Sequence, residues 1–273
     1  MIRFLLILFI IIFCNAQDSY LFINKYSVGE TVIDSDETII SFELPQGVTQ
    51  SGVTSTTRQK YLGYKDGYLL LEETIVDIIS TQMTLGKMSS DFETNSLLGI
   101  PYTLFIDTLS GKIDHMETEY KEYEELINTM VMGMSDFENF IYPFGKNAVN
   151  IKIGDTWSPP VDSMDIYMGD GDESNYMLVE SKFTLDKVKQ KKGDSIAYIS
   201  ASFIISCDLE FIQDSKVFTG SLNGKMKDKI RFNLSQNHYI LHKSSGALQW
   251  KLLFEGEKIN ATMNMTTKTK RVK

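Results

Sequence analysis

The stretch from Ala197 to Leu209, AYISASFIISCDL, is apolar at every second residue. Successive side chains of a β-strand point to opposite faces of the sheet, so this period of two predicts a strand with one buried and one wet face. The same alternation recurs over residues 177–185, 222–234 and 259–265. Alternating stretches that follow one another across short turns predict an antiparallel meander.

A second stretch, YPFGKNAVNIKIGDTW from Tyr142 to Trp157, separates two parts of the chain that resemble each other. The turn at Gly29 recurs at Gly154, and the turn glycine Gly67 has a counterpart in Gly193, each roughly 125 residues later. This spacing predicts one strand–turn–strand plan used twice. The alternative is a chance match, because Gly and Asp gather at turns in any protein.

The period changes before this stretch. Apolar residues between Tyr123 and Phe137 recur at intervals of three and four, and glutamates crowd the start. This pattern predicts an amphipathic helix from Thr118 to Met134 with its acidic end matched to the helix dipole. Met130 and Met134 lie on its apolar face, where methionines fill gaps in a core or contact a flexible ligand.

Together these patterns predict a mainly β protein with antiparallel meander sheets in two similar halves, forming a curved sheet or half-barrel, with the one amphipathic helix packed on the sheet. We expect the first β half, which ends in the helix, to cover residues 17–141 and the second to cover 142–273. The sequence leaves open whether the halves join as one sheet or form two lobes.

Residues 1–16 have the plan of a cleaved signal peptide. Arg3 is followed by an apolar run from Phe4 to Phe13 and by small residues before Gln17. The apolar run is too short to span a bilayer. Lipid attachment at Cys14 is the alternative, but bacterial lipoprotein signals carry a small residue before that cysteine and this chain has Phe13.

The composition is that of a globular protein able to bury a core, with 42% hydrophobic and 23% charged residues. The net charge is −9, and the sequence shows no broad basic face, so we expect no nucleic-acid partner. The basic end from Lys268 to Lys273 is expected to guard a strand edge rather than bind anionic lipid. Cys207 occupies an apolar strand position, which favours a buried, inert thiol over a nucleophile.

Three polar features of the sequence are candidates for metal binding or catalysis. His238 and His242 have ligand spacing for a helix, but in the strand predicted here they would lie roughly 13 Å apart. Asp170 to Ser174 has the opening rhythm of a calcium loop, without its turn glycine and its final glutamate. Asp228 falls on the apolar side of its strand, where a carboxylate is costly unless paired, and a β-bulge is the expected explanation.

The run from Leu98 to Trp157 resembles a bacterial family, a domain of unknown function found in exported proteins and lipoproteins. The features that carry the resemblance are a hairpin tip at Ser110-Gly111, the helical stretch, Pro143-Phe144, and Ile153-Gly154-Asp155-x-Trp157. The resemblance covers residues 20–250 and implies a secreted β-rich fold with no assigned activity. Gly154 and Trp157 match best, with the plain roles of a turn glycine and a buried aromatic.

The sequence therefore predicts an exported, non-enzymatic β-sheet protein of the cell envelope, periplasmic or extracellular and associated with the outer membrane. Its partner would be an apolar ligand such as a lipid, or an envelope protein. We predict no catalytic residue, no metal site and no cofactor. The predicted contact residues are Met130, Met134, Phe232, Met263 and Met265. Two alternatives stay open, namely an envelope-polymer hydrolase with paired carboxylates about 5 to 9.5 Å apart and a purely structural surface protein.

Overall fold

A computed structural model of the chain describes residues 19–22, 27–44, 47–84, 87–89, 97–107, 113–127, 149–158, 162–167, 174–213, 216–236 and 238–272. Most of these residues lie in strands, numbered β1 to β15 in chain order. The strands are Ser19–Phe22, Thr31–Leu44, Gly47–Lys65, Tyr68–Thr84, Lys87–Ser89, Pro101–Asp107, Ile113–Glu117, Val149–Lys152, Thr156–Trp157, Asp162–Tyr167, Ser174–Lys191, Asp194–Gln213, Lys216–Asn233, His238–Phe254 and Glu257–Arg271.

One 13-stranded sheet contains all of them except β1 and β8, which form a separate two-stranded ribbon. Its order is β10-β11-β12-β13-β14-β15-β2-β3-β4-β6-β7, with β5 beside β4 and β9 beside β11. The strand pairs are antiparallel throughout the described residues. The predicted mainly β, antiparallel fold is confirmed, and over the same residues the sheet stays open.

Pairing of β15 with β2 answers the question that the sequence left open. Its register runs from Thr262 opposite Glu43 to Arg271 opposite Asp34. The strands of the first and second parts of the chain therefore form one continuous sheet. That the two parts are copies of one plan stays a prediction.

Three hairpins close with two-residue turns in which both central residues have positive φ, the type I′ geometry that matches strand twist. The turns are Asp66-Gly67 (50° and 91°), Lys192-Gly193 (53° and 91°) and Glu255-Gly256 (47° and 84°). They join β3 to β4, β11 to β12 and β14 to β15. The hairpins predicted around Gly67 and Gly193 are confirmed.

One face of the large sheet, which we call the inner face, carries two clusters of buried side chains. The larger is centred on β11, β12 and β13 and includes Phe183 and Phe232; Ile151 of the β1–β8 ribbon packs into it. The smaller joins β2, β3, β4, β6 and β7 and includes Tyr102 and Ile127. Each cluster consists mostly of alternate residues of neighbouring strands, as expected for a sheet buried on one side.

The predicted helix from Thr118 to Met134 is only partly within the described residues. The chain forms a 3-10 turn at Lys121–Tyr123 and is α-helical over residues 124–127. The observed helical segment therefore begins at Lys121 rather than at Thr118, whose hydroxyl instead donates a hydrogen bond to the carbonyl of Pro101 at 3.1 Å. Residues 128–148 lie outside the described residues, so the amphipathic helix stays a prediction.

The opposite, outer face corrects two expectations about charge. Lys229 of β13, Lys243 of β14 and Lys268 of β15 lie directly opposite one another in successive strand pairs. Cross-strand pairing thus gathers lysines that are far apart in sequence, and β13 to β15 together form a basic face that the sequence did not reveal. Lys268 does not guard an edge, because β15 lies between β14 and β2.

Glycines on the inner face bring β13 and β14 into close contact. Gly224 lies opposite Leu248, and Gly246 lies opposite Met226. A Cβ atom added at Gly224 would be 2.4 Å from the carbonyl oxygen of Ala247 and 2.4 Å from Cδ2 of Leu248. These positions therefore require the absence of a side chain, as is common where a sheet bends sharply.

We expect Gly224→Ala to lower the free energy of unfolding by about 2 kcal/mol, because the added methyl group overpacks the β13–β14 contact. Urea denaturation followed by far-UV circular dichroism measures this change. The matched control is Ser245→Ala on the exposed face of β14, for which we expect a change within about 0.5 kcal/mol. Equal stability of the two variants would show that the close contact is not present in solution.

Candidate functional site

An apolar surface continues from the larger core cluster across β14, β15 and β2 on the inner face. We call this surface the apolar floor. It consists of Leu248, Trp250 and Leu252 of β14, Met263 and Met265 of β15, and Ile40 and Phe42 of β2. Register places these side chains together, because Leu248 is opposite Met263, which is opposite Phe42, while Met265 is opposite Ile40. Residues opposite one another in an antiparallel pair share a face.

The floor differs from the cores in its exposure. Leu248 is 6% exposed, whereas Trp250, Leu252, Met263 and Met265 pack against the larger core and are only partly buried. Ile40 and Phe42 also have intermediate exposure. The inner face is thus closely packed over β11 to β13 and remains partly accessible to solvent along the floor.

Aromatic rings extend the floor toward the ends of the hairpins. The rings of Phe211 and Phe218 stack at 5.1 Å, and those of Phe218 and Phe254 stack at 4.7 Å. The ammonium group of Lys216 lies 4.9 Å from the centre of the Phe254 ring. The floor therefore ends in an apolar stack with a cation beside it, which suits a ligand that has an apolar body and an anionic or polar end.

The indole nitrogen of Trp250 is buried and donates no hydrogen bond within the part of the chain that the structure describes. A buried Trp N–H usually finds an acceptor, because an unmade hydrogen bond leaves the cost of desolvation uncompensated. The floor thus contains a polar atom that a bound molecule could satisfy.

The structure separates the five predicted contact residues. Met263 and Met265 lie beside each other on the floor. Phe232 is fully buried in the larger core, with its ring edge against Tyr239 at 5.1 Å, and so does not line the floor. Met130 and Met134 lie outside the described residues, and a role for them stays a prediction.

Further along the same strands, the inner face becomes polar. Asp228 of β13 is hydrogen-bonded to His242 of β14, with 2.6 Å between Oδ2 and Nε2. Their side chains are 3% and 11% exposed. The expected bulge at Asp228 is wrong, because the register is continuous there and the irregularity lies between Arg231 and Phe232. The carboxylate is held by a partner, although its Oδ1 atom is buried without one among the described residues.

Two more carboxylates follow on β2. Asp36 is opposite Thr269, and burial raises the pKa of its carboxyl group while a hydrogen bond with Thr269 opposes that shift. Asp34 forms two parallel hydrogen bonds with the guanidinium of Arg271, at 3.0 and 3.1 Å. We call Asp34, Asp36, Asp228, His242 and Arg271 the polar band. The band lies between the larger and smaller cores, where each charge needs a partner to offset its desolvation.

Glu73 of β4 lies beyond the band, next to the smaller core. It accepts hydrogen bonds from the hydroxyl of Tyr102 and, at 2.8 Å, from Nε2 of Gln59. Burial raises the pKa of this carboxyl group, and both hydrogen bonds act in the opposite direction. The residue is therefore a buried acid whose neutral form the fold favours.

The other residues that the sequence singled out are the two histidines of β14, Cys207 and the acidic loop. His238 and His242 both lie in β14, which confirms the predicted strand. The thiol of Cys207 is buried in the larger core, and burial raises its pKa, as expected for an inert cysteine. Residues 170–173 of the acidic loop lie outside the described residues. No helix among the described residues is long and apolar enough to cross a bilayer.

Sequence reasoning missed Trp250, Leu252, Ile40 and Phe42 as floor residues, although the signal was present. Leu248, Trp250 and Leu252 alternate with Gln249 and Lys251, the same period of two that marked the other strands. What the sequence lacks is the identity of the neighbouring strand. The floor exists because β14 pairs with β15 and β15 with β2.

Comparison with known proteins identifies a similar fold but no family. No protein-family model matches the chain, and no curated protein matches it. A solved structure titled "Lipid-protein interactions in lipovitellin" is similar, with a TM-score of 0.53 and 10% sequence identity over 91% of this chain. This chain spans 26% of the length of that one. At such low identity the likeness shows the fold alone.

A second solved structure, of Neisserial surface protein A, aligns with 88% of this chain and 96% of its own at 6% identity. The TM-score is 0.19, too low for a shared fold. The likeness to the bacterial domain of unknown function stays a prediction.

We expect His242→Ala to lower the free energy of unfolding by about 3 kcal/mol, because it leaves the Asp228 carboxylate buried without its partner. Adding Asp228→Asn should restore part of that loss, since a neutral amide is less costly to bury than a charge. Urea denaturation of both single variants and the double variant measures the coupling. Strictly additive effects would show that the two side chains do not interact.

For Glu73, the raised pKa predicts how stability depends on pH. The folded state holds the Glu73 proton more tightly than the unfolded chain does, so protonated Glu73 stabilises the fold. This stabilisation is complete below the ordinary pKa of 4.5 and is lost as the pH rises through the pKa of Glu73 in the folded state. The Tm of the wild type minus that of Glu73→Gln should therefore fall with rising pH. The neighbouring Glu72→Gln is the control for the same change in charge. A difference that does not vary with pH would contradict the prediction.

Proposed function

We propose that this chain is an exported, non-enzymatic β-sheet protein of the cell envelope that holds an apolar ligand of the lipid class on its apolar floor. The observation that carries the proposal is the partial exposure of contiguous apolar side chains beside a closely packed core on the same face. Exposed contiguous apolar surface on a soluble protein typically marks a ligand or partner site.

The composition of the floor fits flexible chains better than a rigid ligand. Met263 and Met265 are unbranched and polarisable, so they adapt to irregular apolar shapes. Trp250 provides a large apolar ring together with an N–H group that could donate a hydrogen bond to an oxygen of the ligand. Lys216, above the Phe254 ring, provides a charge for an anionic head group at the end of the floor.

The fold comparison supports the ligand class. The solved structure with a similar fold carries a title concerned with lipid–protein interactions. Extending that class of ligand to this chain is a proposal, since the shared feature is the sheet. The export signal expected at residues 1–16 supports a periplasmic or extracellular location. An envelope protein that covers the floor is the alternative partner.

The chain contains two tryptophans, which allows a direct test. Trp157→Phe keeps an aromatic ring to stack on Phe183 and leaves Trp250 as the sole tryptophan. A fatty acid brominated along its chain quenches tryptophan emission only on contact. We expect saturable quenching of Trp250 in this variant, and co-purifying lipid in native mass spectra of the unaltered chain.

The double substitution Met263→Gln and Met265→Gln should lower the affinity for the brominated fatty acid, measured by quenching, at least about tenfold, because it places two polar side chains on the floor. Thr266→Gln, on the exposed outer face of β15, is the matched control and should bind like the parent. Circular dichroism melting establishes that each variant is folded. If folded protein neither carries lipid nor shows quenching, the floor is not a lipid site.

A further inference from the structure

Nine cations lie on the outer face of β13, β14 and β15, on the side of the sheet opposite the apolar floor. We call six of them the basic patch, namely Lys227, Lys229, Arg231, Lys243, Lys268 and Lys270. Over residues 217–231, 241–253 and 258–270, the alternate positions that share this face contain no Asp or Glu. The patch is therefore uniformly positive in a chain whose net charge is −9.

The centre of the patch is electrostatically unfavourable for the isolated protein. Lys243 has Lys229 directly opposite on one side and Lys268 on the other. Residues opposite each other have Cβ atoms about 5 Å apart, and like charges at that distance destabilise a sheet. Lys268 is paired with Glu37 of β2 at 3.1 Å, whereas Lys229 and Lys243 form no ion pair within the described part of the chain. An external anionic surface would remove this repulsion.

The patch continues toward the edge of the sheet through Tyr198 of β12. The guanidinium of Arg231 lies 5.4 Å from the centre of the Tyr198 ring, and the ammonium of Lys187 on β11 lies 5.2 Å from it. The Tyr198 ring thus attracts two cations on the outer face of the sheet. The same face of β11 and β12 also carries four exposed carboxylates, Glu180, Asp186, Asp208 and Glu210. The uniformly positive surface is therefore confined to β13, β14 and β15, a width of about 10 Å at the usual strand spacing.

Exposed apolar side chains adjoin the charges on the same face. Ile204 of β12, which lies between Lys225 on β13 and Glu180 on β11, is 49% exposed. On β11, Leu178 and Tyr176 are 46% and 66% exposed. Basic residues bordered by exposed apolar ones are typical of surfaces that lie on a bilayer, where lysines meet anionic head groups and apolar side chains enter the interface. A soluble polyanion would have no use for the apolar border.

We propose that the outer face of β13 to β15 docks on an anionic lipid bilayer, with the basic patch against the head groups. This inference goes beyond the proposed function and uses no contact of the floor. Docking through the outer face would leave the floor on the opposite side of the sheet. The two sites can therefore be tested separately.

The experiment is sedimentation of the protein with vesicles of phosphatidylcholine, with and without one-third phosphatidylglycerol. We expect binding to the anionic vesicles only, and its loss at high salt because exposed charges are screened. Equal binding to both kinds of vesicle, or none to either, would overturn the proposal. Binding to duplex DNA without binding to anionic vesicles would also overturn it, in favour of a nucleic-acid partner.

The decisive variant is Lys243→Glu. It places an opposite charge between Lys229 and Lys268, so we expect the Tm to rise while affinity for anionic vesicles falls at least about fivefold. Loss of binding in a more stable protein excludes misfolding as the cause. Lys152→Glu, exposed on the β1–β8 ribbon, makes the same change in charge away from the patch and should bind like the wild type. Vesicle affinity unchanged by Lys243→Glu would refute the role of the patch.

Discussion

The pairing of β15 with β2 is the constraint on which the rest of the structure depends. It brings the last strand of the chain against one of the first, so that the side chains of Thr38 and Thr267 meet although they are 229 residues apart. Ordering so long a loop carries an entropic cost that local hairpins do not, so this contact must be specified strongly. Without it the floor would lose Ile40 and Phe42, and the polar band would lose the partner of Arg271.

Charges on both faces fix the register of that pairing. The guanidinium of Arg271 binds the Asp34 carboxylate on the inner face, and Lys268 pairs with Glu37 on the outer face. A slip of one residue would move every side chain of β15 to the wrong face and separate both pairs. The exposed pair contributes little to stability, whereas the largely buried, bidentate pair of Arg271 and Asp34 is the stronger determinant of alignment.

Alternation along the sequence was enough to predict the strands, their buried faces and the turns at Gly67 and Gly193, because these depend on neighbouring residues. The partner of Asp228 could not be predicted in the same way. His242 is its diagonal neighbour, opposite Ile230, and the register between Arg231 and Phe232 shifts by a bulge that no local pattern announces. The basic patch could not be predicted for the same reason, because Lys229, Lys243 and Lys268 are distant in sequence and are brought together only by the order of the strands.

The two faces of the sheet differ for a physical reason that bears on both proposals. A sheet whose two faces are both apolar must be covered on both. Along β13 to β15 the inner face is mostly apolar and the outer face mostly polar, so one face can meet lipid tails while the other meets water or charge. Gly224 and Gly246 allow β13 and β14 to approach closely on the inner face, beside the floor. The outer surface of the same ribbon carries Lys227, Lys229 and Lys243. A ligand site and a docking surface can therefore share two strands, β14 and β15, without sharing a side chain, so a substitution in one should leave the other intact.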